Sequence, residues 1–313
     1  MANQNEALQA QYATVRGVLD DAAVKMIASG EAIMKTPGRA LLAQMGLVPS
    51  PEDSEHTTSA PIDEPFALLD NACGPGLIAG VLQEDLPREL LSRSRILCAD
   101  INGNFVDILK QRAEAEHWVG VEAAVLDAQN PGLPDNSFSH CTVNFGMHVI
   151  PDPDAVLRAT KAFLKPGGVF GLTTMHSSTI GWSADLRSAF SALPFPTEPL
   201  PEPLSMTANG RAEWAETAGA EQALRAHGFE DVRVRVAEHR SPCLSGADAV
   251  ERFGMMIRMV AGTHWSEESR RKAFEEGFDL MGHVARHLDE KHGGKAWELE
   301  WRMLIATARK PAA

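Results

Sequence analysis

Between residues 66 and 175 five short apolar runs alternate with amphipathic helical stretches, and this alternation constrains the fold more than any other feature of the chain. The runs are "FALLDNA", "RILCADI", "VEAAVLDA", "FSHCTVNFG" and "GVFGLTTM". Between them lie "LIAGVLQEDL", "NGNFVDILKQRAEAE", with Asn102 placed as its N-cap, and "DAVLRATKAFL". Apolar strands that alternate with amphipathic helices pair in parallel and are covered on both faces. The right-handed crossover rule then folds them into an α/β, doubly wound sheet. Later in the chain "DVRVRVAEH" alternates strictly, and "WELEWRMLIATAR" reads as a seventh strand.

Outside this core the pattern changes. Residues 5–47 carry helical spacing, with Leu8, Val15, Leu19, Ala23 and Met26 at three- to four-residue steps. "PSPEDSEHTTSAPIDEP" is polar and proline-rich, which suits a linker. In residues 176–211 the stretch "PFPTEPLPEPLSM" holds five prolines, too many for a helix or a central strand. "AEWAETAGAEQALRAHG" predicts one helix ending at Gly228, and two more helical stretches are expected over 246–261 and 266–290. The organisation expected is an N-terminal helical lid and linker over 1–60, then a domain over 61–313. That domain carries insertions at about 176–211 and 246–292, on the substrate side of the sheet.

Charge and cysteine content narrow the partners. The formal net charge of the 313-residue chain is −13, with no lysine- or arginine-rich tract, so nucleic acid is not expected as a partner. Cys73, Cys98, Cys141 and Cys243 form no C-x-x-C pair and lack zinc-ligand spacing, which fits reduced thiols in a cytoplasmic protein. No signal-peptide pattern and no apolar stretch of membrane-spanning length is present, so no membrane partner is expected.

In open α/β sheets ligands bind beyond the carboxyl ends of the strands. The first strand leads there into "LLDNACGPGLIAG", residues 68–80, where Gly74 and Gly76 let the backbone approach a ligand. The pattern Gly74-x-Gly76-x-x-Ala79 also satisfies the dinucleotide fingerprint. Asp70, just before the turn, weighs against that reading, because a pyrophosphate would meet it as a like charge. A cationic ligand suits it better. Asp100 ends the second strand, where an acid accepts from ribose hydroxyls. Asp127 ends the third, within reach of an adenine amino group.

With these residues in view the stretch 66–175 resembles a class I S-adenosylmethionine-dependent methyltransferase of the small-molecule type, similar in pattern to the ubiquinone-biosynthesis methyltransferases. "LLDNACGPG" matches the family's D-x-G-C-G-x-G motif with Ala72 in place of the first glycine, and "LCADIN" matches its strand-two acid. "LPDNSF", "LKPGG" and the final "MLIATARKP" follow in family order. The resemblance implies a Rossmann-like seven-stranded mixed sheet with its last strand antiparallel and with helical lid elements. It implies S-adenosyl-L-methionine as cofactor, and assigns it residue by residue. Asp70 with Ala72, Gly74 and Gly76 would hold the methionine end, and Asp100 the ribose. Ile101 would flank the adenine, Asp127 and Ala128 would address its edge, and Asn144 and Phe145 would line the cofactor near the sulfonium.

Methyl transfer from a sulfonium is an in-line displacement that a protein promotes by alignment and desolvation. A base is needed only where the acceptor arrives protonated. Two histidines are candidates for that catalytic role: His148, one loop beyond strand four, and His176, just beyond strand five. The helical His283 and His287 read as a solvated face, and no metal site is expected. The function expected is methylation of an oxygen, nitrogen or sulfur of a small apolar metabolite in secondary metabolism. The alternative is a cofactor-binding regulator on the same fold.

Overall fold

A computed structural model describes residues 30, 33–49, 62–179, 181–202, 204 and 207–312. The helical reading of residues 5–29 and most of the linker lie outside this set. Helix α1 covers residues 33–44, and Gly46 behind it adopts φ 80°. There follow β1 (Ala67–Asn71), α2 (Leu77–Asp85), α3 (Arg88–Arg93), β2 (Arg95–Asp100), α4 (Gly103–Ala115), β3 (Val121–Val125) and β4 (Phe138–Asn144). Then come α5 (Pro153–Phe163), β5 (Leu164–Met175), α6 (Ser183–Ser191), α7 (Thr217–Ala226), β6 (Glu230–Cys243), α8 (Gly246–His264), α9 (Glu267–Phe274), α10 (Leu280–Lys291) and β7 (Trp297–Arg309).

The seven strands form one sheet in the order β3-β2-β1-β4-β5-β7-β6. Strands β1 to β5 pair in parallel, and β7 runs antiparallel to β5. The chain reverses direction across the sheet between β1 and β4, so their carboxyl ends mark the switch point where a ligand crevice opens. Both sheet faces are covered. On one, Leu41, Leu42, Ile78, Leu82 and Leu109 of α1, α2 and α4 are fully buried or nearly so; on the other, Val156 and Leu157 of α5 join Trp214 and Leu224.

Several elements differ from the sequence expectations. Strand β3 stops at Val125, so Asp127 lies in the loop beyond it rather than at the strand end. Strand β5 starts at Leu164, ahead of "GVFGLTTM", because Gly167 N donates to Lys310 O and Lys310 N donates to Gly168 O, both at 2.9 Å. These bonds draw the "KPGG" turn into the sheet. The helix expected over "AEWAETAGAEQALRAHG" is broken into a 3₁₀ turn at Ala212–Ala215 and α7, with Glu216 extended between them. Gly219 permits the break, since a Cβ there would lie 2.7 Å from the backbone of Glu213. The stretch 266–290 divides into α9 and α10 around Gly277, which sits at φ 79°.

The described residues gather into two compact units, one drawn from within 1–176, 206–237 and 303–313, the other from within 177–205 and 238–302. In the second unit α10 packs against α8 and α6. Asp185 of α6, buried, accepts from Lys291 Nζ at 2.8 Å, Trp297 Nε1 at 3.0 Å and His292 Nε2 at 3.1 Å. A buried carboxylate held this way keeps its charge compensated. Residues His283 and His287 are half-buried toward α6 rather than solvated: His283 Nε2 meets Ala189 O at 3.1 Å and His287 Nε2 meets Ser188 Oγ at 2.8 Å. No helix among the described residues is long and apolar enough to cross a membrane.

Candidate cofactor site

The carboxyl ends of β1, β2 and β4 and the loop after β1 form the candidate site. Between β1 and α2 the chain turns through Ala72 at φ 62°, Gly74 at φ 53° and Gly76 at φ 87°. Ala72 occupies the position where the family pattern has glycine, and its Cβ makes that left-handed conformation cost about 1–2 kcal/mol. Gly74 has open space where a Cβ would point. Gly76 is packed instead: a Cβ would sit 2.9 Å from Leu109 Cδ1 and 3.2 Å from Trp118. Arg112 lies over the Trp118 ring at 5.2 Å and donates from Nη1 to Pro75 O at 3.2 Å, so α4 supports the loop from behind.

Asp100 ties this loop to β2. Its Oδ2 accepts from Gly74 N at 2.8 Å and its Oδ1 from Asn102 N at 2.9 Å. Each carboxylate oxygen has a further lone pair, so the group keeps acceptor capacity for ligand hydroxyls. Burial raises the Asp100 pKa, and the backbone N–H groups of Asn102, Gly74 and Ile101 oppose that rise. Ile101 beside it is exposed, unusual for so large an apolar side chain. Asp127, two residues beyond β3, accepts from Gln129 N at 2.9 Å and Gln129 Nε2 at 3.1 Å. Ala128 next to it is buried, and its carbonyl accepts from Asn71 Nδ2 at 3.4 Å.

Asp70 is fully buried. Thr142 Oγ1, its register partner on β4, donates to Oδ1 at 2.8 Å, while Oδ2 has no partner. The neighbouring Asn71 Oδ1 is likewise buried and unpaired. Burial pushes the Asp70 pKa up to about 7, against the Thr142 hydrogen bond and with help from the Asp100 charge. Two orphaned acceptors next to an open glycine turn fit a ligand that brings N–H donors and positive charge, which the amino-acid end of S-adenosylmethionine does.

At the end of β4 Asn144 is half-buried and Phe145 is buried at φ 56°. The loop passes close to the first turn, because a Cβ on Gly146 would lie 3.4 Å from that of Ala72. His148 follows, edge-on to Phe145 with ring centres 6.4 Å apart. It is buried, its Nδ1 lacks a partner, and burial pushes its pKa down to about 4. His176 is half-buried, its Nε2 4.0 Å from Glu216 Oε2. Hydrogen bonds thus join Gly74 to Asp100 and Ala128 to Asn71, the residue after Asp70, while Gly146, beside Phe145, passes close to Ala72. Thr142, Asn71 and Thr173 were not singled out in the sequence. Only strand register places Thr142 opposite Asp70 and Thr173 opposite Asn144; Asn71 was legible as the residue after the acid.

Burial of His148 has a consequence for stability. Its folded-state pKa lies below the usual value, so between about pH 6.5 and about pH 4 the unfolded chain binds a proton that the folded chain does not. Stability is therefore expected to fall on acidification through that window, by roughly 3 kcal/mol from this one residue. His140, also pushed down to about 4 by burial, acts in the same direction. Urea midpoints measured across that range should drop less in His148→Gln than in the wild type. Parallel curves would contradict the assignment.

Residues 69–172 match the protein family described as "Methyltransferase domain". The chain is 28% identical to "Methyltransferase tpcH" of Aspergillus fumigatus, over 79% of its own length and 86% of that protein. It is also 28% identical to the acetylaranotin bis-thiomethyltransferase of Aspergillus terreus, over 79% of its own length and 83% of that protein. A solved structure from Bacillus halodurans shares the fold with a TM-score of 0.50 at 14% identity, covering 88% of this chain and 99% of that one.

Proposed function

Since the chain belongs to the class I S-adenosylmethionine-dependent methyltransferases, Rossmann-like enzymes with S-adenosylmethionine as cofactor, we propose that it methylates a small apolar metabolite of secondary metabolism, at sulfur. The observation that carries the choice of atom is His148. It lies one loop beyond the end of β4, and enclosure leaves it neutral and weakly basic. A weak base gives little help to a phenol, whose pKa is near 10, whereas a thiol near 8.5 supplies thiolate by its own ionisation. The name of the Aspergillus terreus relative points to the same atom.

The bound cofactor supplies an electrophilic methyl group. The residues of the chain have the remaining tasks. Asp70 and Asn71 offer acceptors to the amino-acid end, Asp100 to the ribose, and Asp127 with Ala128 to the adenine edge, with Ile101 flanking the ring. Phe145 and the enclosed His148 keep water from this end of the site, which favours alignment over solvation. A second reading, a phenolic acceptor, is favoured by the approach of His176 to Glu216, an arrangement suited to a general base.

Calorimetry should detect binding of S-adenosylmethionine and S-adenosylhomocysteine, and none of NADH. A panel of small thiols and phenols incubated with enzyme and cofactor, read by mass spectrometry, then decides the atom. Thiols are expected to be methylated with a rate that follows their own ionisation, and His148→Gln should change kcat by only a few-fold rather than the roughly hundredfold of a lost base. Turnover of phenols alone, abolished in His176→Gln, would establish the second reading instead.

A further inference from the structure

Asn144 and Thr173 face each other across β4 and β5. Thr173 Oγ1 lies 2.6 Å from Asn144 Oδ1 and 3.1 Å from Phe145 N, and Thr173 O receives the same Phe145 N–H at 3.0 Å. The threonine is completely buried, so its hydroxyl proton needs a protein acceptor. The separation of 2.6 Å suits an O–H···O bond and is short for N–H···O. Phe145 N–H already points at Oγ1, which leaves the hydroxyl proton for Asn144. The amide oxygen of Asn144 is therefore the atom turned toward Thr173, and the amide nitrogen is turned away with both of its hydrogens. No described residue accepts from that nitrogen. The same hydroxyl and carbonyl clamp Phe145 in its left-handed conformation at φ 56°. Helix α1 passes beside this point: a Cβ on Gly38 would lie 3.8 Å from Asn144 Oδ1, an ordinary contact distance, and 2.9 Å from Leu77 Cδ2.

We propose that Thr173 is a positioning residue for the cofactor, its hydroxyl setting the Asn144 amide so that the two N–H groups are offered to lone pairs of the S-adenosyl ligand. The inference rests on the cofactor reading above and adds a residue that touches no ligand. Without the hydroxyl the amide is free to turn, and Phe145 loses one of its two acceptors.

The test is calorimetric titration of the full chain with S-adenosylhomocysteine, which needs no acceptor substrate. Thr173→Val, which keeps the shape of the side chain, is expected to weaken binding by about tenfold or more, while Thr173→Ser, which keeps the hydroxyl, stays within about threefold of wild type. A role in packing alone would reverse that order, with valine tolerated and serine harmful, and would overturn the proposal. Asn144→Ala should weaken binding as Thr173→Val does, and adding Thr173→Val to it should cost nothing further. Additive losses would mean that Thr173 does not act through Asn144. Should Thr173→Val fail to fold, Asn144→Ala decides, since wild-type affinity in that variant also overturns the proposal. A wild-type chain that binds no S-adenosylhomocysteine would instead remove the cofactor reading itself, and this assignment with it.

Discussion

Asp100→Ala is expected to weaken S-adenosylmethionine binding by roughly 1.5–3 kcal/mol, from about tenfold to more than a hundredfold. Two losses coincide in this variant. The ribose hydroxyls lose a charged acceptor, and the glycine loop loses the anchor that Gly74 N finds in Oδ2 at 2.8 Å. Asp100→Asn separates them. Its amide oxygen still accepts from one backbone N–H, but its nitrogen meets a second donor where a carboxylate oxygen accepted. It should therefore fall between alanine and wild type if the loop anchor matters. Because Asp100 is buried, melting temperatures of both variants belong beside the calorimetry. A folded Asp100→Ala chain with wild-type affinity would refute the site.

Binding is also expected to depend on pH through Asp70, and by a comparable amount. Its folded-state pKa is pushed up to about 7, so in the free protein the carboxyl is largely protonated below that pH. A cationic ligand favours the ionised form, and must displace the proton when it binds under acidic conditions. Affinity should fall by up to about tenfold per pH unit below about pH 7, or roughly a hundredfold by about pH 5. Calorimetry of the complex in two buffers of different ionisation enthalpy should show close to one proton released per site near pH 6. Asp70→Asn should bind more weakly at neutral pH and lose both the slope and the proton release. A flat affinity profile in the wild type would show that Asp70 does not meet the ligand's positive charge.

The sign for stability runs opposite to that of His148. A raised acid pKa means that the folded chain holds a proton the unfolded chain has released, between the usual carboxylate range and about pH 7. Asp70 therefore lowers stability as the pH rises through that interval, while His148 and His140 lower it as the pH falls. The opposing slopes are expected to flatten the pH dependence of stability in the wild type. Asp70→Asn removes one arm and should leave a chain whose stability falls more clearly on acidification.

Much of this protein is determined locally and is legible in the residue order. Strands such as "ALLDN" and "RILCAD" announce themselves because a buried parallel strand must be apolar on both faces. Asn102 caps α4, accepting from Asn104 N, and Gly228 at φ 73° follows the end of α7, because capping depends on residues within one turn. The glycine turn and the strand-end placing of Asp70 and Asp100 follow for the same reason, since a strand end is a local property, whereas Asp127 lies two residues beyond the end of β3 at Val125.

What only the tertiary structure decided are the quantities that sum over distant neighbours. Register across β1 and β4 makes Thr142 the partner of Asp70, and register across β4 and β5 makes Thr173 the partner of Asn144. Depth of burial turns one strand-end acid, Asp70, into a group that titrates near neutrality, and sets His148 well below its usual range. The breaks at Glu216 and around Gly277 interrupt stretches whose periodicity alone reads as continuous helix. Finally, residues 177–205 and 238–302, two segments with no sequence signal linking them, gather into one compact unit in which Asp185 holds Lys291, His292 and Trp297. Desolvation and strand pairing are set by what the chain brings together from far apart, and no local pattern encodes that sum.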